Sequence, residues 1–97
     1  MSRASIERRL TDITAELRVA RDELKVLDEQ LQHFTDEADE ARLRSLVSET
    51  PLAESEHREA AKAVTALRRD REARLKRMAK LESKQDALLD QLTSVRS

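Results

Sequence analysis

The chain has 97 residues, of which 40% are charged and 38% apolar, yet its formal net charge is only −1. A chain of this length buries too little surface for a secure globular core unless metals, disulfides or association assist it. It contains no Gly, Cys, Trp or Tyr, and Phe34 is its only aromatic residue, which excludes an aromatic-rich β-sheet, a disulfide scaffold, a thiolate metal site and a cysteine nucleophile.

Ala, Leu, Glu, Arg and Asp dominate instead, the composition of a long helix or coiled coil. High charge with low hydropathy also suits disorder, but the near-zero net charge and a strict apolar period argue against it. No apolar run approaches the roughly 20 residues of a membrane span. The opening Met1-Ser-Arg-Ala-Ser-Ile-Glu-Arg-Arg lacks the apolar stretch of a signal peptide, so a cytoplasmic protein with no membrane association is expected. Arginine outnumbers lysine 14 to 5, a bias that hints at a GC-rich genome and carries no mechanism.

The first predicted element is a helix over about 3–47. From Ile6 the apolar positions advance by alternating steps of four and three: Ile6, Leu10, Ile13, Leu17, Ala20, Leu24, Leu27, Leu31, Phe34, Ala38 and Ala41. A 3.5-residue period keeps such a stripe facing a partner helix along its whole length. Leu43, Leu46 and Val47 then fall off this seam.

A turn follows at 48–50, next to Pro51, the only proline. Proline is tolerated at the first helical position and pushes its predecessor out of helical geometry. Thr50 can therefore cap a second helix over about 51–95, with Glu54, Glu56 and Glu59 near the positive end of its dipole. On that helix Val95, Leu92, Leu88, Gln85, Leu81, Met78, Leu67, Val64 and Ala60 continue the heptad. Arg71 and Arg74 occupy the seam positions between. Either a stutter centred on Leu75 turns these arginines outward, or their long stems cover the seam edge and their heads reach water.

The expected architecture is all-α, a single antiparallel two-helix coiled-coil hairpin in which residue i lies beside roughly residue 98 − i, dimerisation into a four-helix bundle being a further option. One seam leaves each helix mostly wet. Val19 and Val26 on the first helix, with Leu75 and Leu89 on the second, widen the apolar surface and favour self-association or docking.

Charge is polarised along the chain. Residues 28–60 carry ten acids against three arginines, and residues 68–80 carry seven bases against Asp70 and Glu72. A charge run on a helix is usually a solvated face, and the basic stretch has a structural use in pairing with Asp22, Glu23, Asp28 and Glu29 of the facing helix. The functional candidates are an acidic partner-binding site, Asp36, Glu37, Asp39 and Glu40, and a basic one, Arg68, Arg69 and Arg77. Nucleic acid is not the expected partner, because the chain is slightly acidic and no aromatic or Gly-rich loop accompanies the basic stretch.

A helical hairpin with Asp36, Glu37, Asp39 and Glu40 near its turn resembles the coiled-coil arm of Gre-type transcript-cleavage factors. That resemblance implies a transcription regulator that inserts an acidic end into RNA polymerase. It covers shape and charge only, since the chain has no second globular domain and no Gly-Asp turn. Glu54-Ser-Glu-His57 resembles the Glu-x-x-His spacing of di-iron four-helix carboxylate proteins and implies a ferritin-like metal-binding hairpin. The first helix offers Ala41, not a carboxylate, beside His57, so no metal ligands are assigned. In length the chain also resembles the WXG100 secretion substrates, but its turn lacks their Trp and Gly. In overall character it looks like small helical-hairpin coiled-coil proteins of actinobacteria.

No nucleophile with a base and an orienting acid is visible, and no Gly-rich loop cradles a phosphate. The expected function is therefore a non-catalytic interaction or assembly module that binds a protein partner and self-associates, with no cofactor.

Overall fold

The computed structural model describes residues 1–96, with Arg96 described by its backbone alone. The protein is an all-α helical hairpin. Helix α1 spans Arg3–Ser48 and helix α2 spans Pro51–Arg96, joined by Glu49 and Thr50.

Both helices begin on side-chain caps. Ser2 Oγ accepts the Ser5 backbone N–H at 3.2 Å, and Thr50 Oγ1 accepts the Ala53 N–H at 3.2 Å. Each satisfies an amide that has no partner in a helix's first turn. At the other end of α1, Glu49 has φ 51°, in the left-handed region, and its N–H donates to the Ser45 carbonyl at 3.1 Å. This is the left-handed helix stop that glycine usually occupies. In a chain without glycine a glutamate takes it, at about 1–2 kcal/mol of steric cost.

The hairpin divides into two compact units, a terminal unit of Met1–Glu23 with Ala73–Ser97 and a turn unit of Leu24–Glu72. In the terminal unit Ile6 and Leu17 are fully buried, with Met78, Leu81 and Leu88 from α2. Across its seam Gln85 Nε2 donates to Thr14 Oγ1 at 3.3 Å, Arg21 pairs with Glu82 at 3.6 Å, and Arg74 pairs with Glu23 at 2.6 Å. Numbers rise along α1 as they fall along α2, so the two segments run antiparallel. The turn unit buries Leu27, Ala41, Ala53 and Val64. Its cross-links, Arg71 to Asp28 at 2.6 Å and Arg44 to Glu56 at 4.0 Å, show the same antiparallel order.

All eleven stripe residues of α1 from Ile6 to Ala41 are buried or half-buried. The seam does not end at Ala41. Ser45, four residues on, is half-buried at the next heptad position, so the register continues while the residue there becomes small and polar. On α2 the steps of four and three run through half-buried Arg71 and Arg74, and Leu75 is exposed. There is no shift of phase at the arginines. Their stems lie at the seam and their guanidinium groups reach the carboxylates of Asp28 and Glu23, which lets a cation occupy an apolar position without losing its hydration or its counter-charge.

Val19, Val26 and Leu89 are also exposed and lie outside the seam. Val95, placed on the stripe by its spacing, is exposed as well. No buried side-chain nitrogen or oxygen among the described residues lacks a hydrogen bond. No helix among them is long and apolar enough to cross a membrane.

Candidate docking face on the last turns of α1

Helix geometry sorts the residues before the turn into two groups. Ala38, Ala41 and Ser45 face the seam. Asp36, Asp39, Leu43, Leu46 and Val47 follow one another at spacings of three, four, three and one, which place them together on the opposite, outward side. All five are exposed. Leu43 is 56% exposed, Leu46 64% and Val47 85%, and Leu52 just past the turn is 70% exposed. The outward face thus has two parts in chain order, an acidic part over 36–39 and an apolar part over 43–47.

Large apolar side chains left singly in water are ordinary. Three of them at i, i+3 and i+4 form a contiguous patch, and contiguous patches mark contact sites. The seam of the turn unit does not explain these residues, because its positions are already filled by Ala41, Ser45 and Ala53.

The four acids singled out from the sequence are not equivalent. Asp36 accepts a hydrogen bond from Gln32 at 3.0 Å, and Asp39 has no ion-pair partner among the described residues. Glu40 lies 3.9 Å from Arg44, which also reaches Glu56. Glu37 sits toward the seam edge, 3.3 Å from His33 Nε2. Glu37 and Glu40 line a shallow groove with Ala41, Arg44, Glu56 and Ala60. The acids are therefore spread around the helix, Asp36 and Asp39 outward, Glu37 at the seam edge, and Glu40 between them at the rim of the groove it lines with Glu37.

No family model matches this chain, and no similar protein was found among curated proteins or solved structures.

Arg68 and Arg69 are exposed on α2 within the turn unit, and Arg77 is exposed within the terminal unit. Of the basic stretch, the arginines engaged across the seam are Arg71 and Arg74, the two at heptad positions. His57 is half-buried at a seam position, while Glu54 is exposed and lies 4.0 Å from Arg58. His33 is exposed and meets Phe34 edge-on, ring centroids 5.3 Å apart. Among the described residues, no group of three or more His, Asp or Glu side chains is placed to share a metal ion.

The outward apolar face is not evident from the seam pattern, to which Leu43, Leu46 and Val47 are departures; its signal is their own spacing of three and one, a second stripe on the same helix.

Proposed function

We propose that this protein is a non-catalytic helical-hairpin interaction module that holds a protein partner on the outward face of α1 over residues 36–47. The observation that carries the proposal is the exposure of Leu43, Leu46 and Val47 on one side of the helix, opposite a seam that is complete without them. Helices commonly present such an i, i+3, i+4 set to an apolar groove on another protein.

The test is capture from an extract of the native cells with the intact chain as bait, compared with Leu46→Asp/Val47→Asp. Both positions are exposed, so helicity is expected to survive while the captured partner is lost. A partner retained at full yield by the double variant refutes the assignment of this face.

A further inference from the structure

We infer that the outward face of α1 docks on the terminal unit of a second copy of the same chain. This rests on the docking role proposed for residues 36–47 and adds the identity of the occupant.

The first argument is charge. The turn unit, residues 24–72, carries twelve acidic and eight basic side chains, a net of −4. The terminal unit, over its described side chains in residues 1–23 and 73–95, carries eight acidic and ten basic groups, a net of +2. A chain that is nearly neutral as a whole therefore consists of two oppositely charged parts. Opposite potentials steer encounter and fix which surfaces meet, while like-charged surfaces are kept apart. Turn unit against turn unit is disfavoured, and turn unit against the terminal unit of another copy is favoured.

The second argument is shape. The terminal unit holds an open groove of about 440 Å³ with Ile13, Leu81 and Leu88 among its lining residues. Arg9 and Lys84 also line it, together with Asp12 and Glu16 on the α1 wall. The groove offers an apolar floor to Leu43, Leu46 and Val47. Arg9 and Lys84 can meet Asp36 and Asp39, the outward acids one to two turns before Leu43. Arg9 donates to the Met1 sulfur at 3.6 Å, a weak contact that a carboxylate displaces readily.

Every copy owns both a 36–47 face and a groove, so each copy can make the contact once through each surface.

Sedimentation velocity on the purified full chain, over a range of concentrations, tests this. The wild type is expected to associate reversibly, less strongly at about 0.5 M salt than at about 0.05 M. Leu46→Asp/Val47→Asp removes the face and Arg9→Glu/Lys84→Glu removes the groove's cations. Each variant is expected to self-associate about tenfold more weakly or worse, with helicity unchanged by circular dichroism. An equimolar mixture of the two variants restores one sound contact and is expected to associate more strongly than either alone.

A wild type that stays monomeric, an association indifferent to both pairs of substitutions, or a mixture no stronger than its components overturns the inference. A monomeric wild type that still captures a different protein through Leu46 and Val47 refutes the second-copy identity and leaves the docking role of α1 standing. An association that survives Leu46→Asp/Val47→Asp with no other partner found removes both.

Discussion

Val26 and Leu27 are consecutive residues of the same helix with opposite surroundings, Val26 54% exposed and Leu27 4% exposed. Truncating each to alanine separates seam from surface in a single step of the chain. For Leu27→Ala the loss combines the transfer of buried methyl groups with a residual cavity, which ranges over about 2–5 kcal/mol in well-packed cores. The neighbouring seam residues Leu24 and Leu31 are only half-buried, so the site can collapse and admit water, and the lower end applies: about 2–3 kcal/mol. With a urea m value of about 1–2 kcal/mol/M the midpoint falls by about 1–3 M. The thermal midpoint falls by about 10–20 °C, at roughly 4–8 °C per kcal/mol for a domain of this size. For Val26→Ala the small loss of burial is offset by the helix propensity of alanine, about 0.5 kcal/mol better than valine, and the net change lies within about 0.5 kcal/mol of zero. The measurement is urea unfolding followed by far-UV circular dichroism, at a dilution where the chain is a single species. Equal losses at the two positions, or a larger one at Val26, would refute the seam register argued here.

Three further outcomes are expected. A double-mutant cycle on Arg74 and Glu23 should give a coupling of about 0.2–1 kcal/mol, because both side chains keep substantial exposure; the coupling should fade with added salt, and its absence at low salt would contradict a direct pair. Replacing Thr50 by Ala removes the side-chain acceptor for the Ala53 amide and should cost about 1 kcal/mol in chemical denaturation, while Thr50→Ser should cost little. Glu49→Gly relieves the left-handed backbone and should stabilise by about 0.5–1 kcal/mol after the added freedom of the unfolded chain is subtracted; a destabilised variant would mean that the Glu49 side chain supports the turn by some other contact.

The helical hairpin was legible in the sequence because its determinants are local and periodic. The four-three stripe from Ile6 to Ala41 reports the α1 seam residue by residue, and Thr50-Pro51 carries the cap of α2 in its chemistry. Other features depend on what lies across the seam. Arg71 and Arg74 break the apolar pattern, and the sequence alone leaves open whether the helix rotates to expel them; the carboxylates of Asp28 and Glu23, more than forty positions away along the chain, hold them in place. The left-handed residue at the end of α1 carried no sequence signal, because the usual marker is glycine and this chain has none. The outward face over 36–47 is written in helical spacing as clearly as the seam is. Leu43, Leu46 and Val47 misfit the first stripe, and it is their mutual spacing that marks the second. The acidic quartet was legible as composition only; which side of α1 each carboxylate takes follows from its heptad position.

The two units differ in how far along the chain their pairing partners lie. The turn unit is one continuous stretch, Leu24–Glu72, whose pairing requires only a short loop to close and can begin as soon as that stretch has left the ribosome. Residues 1–23, although made first, have their partners in 73–97, and the larger loop closes later unless the inner segment has already zipped. Until then Ile6, Leu10, Ile13 and Leu17 remain a bare oily strip on a nascent chain, the kind of segment that holding chaperones bind. Within residues 1–97 the leading segment is thus the one whose partners are made last.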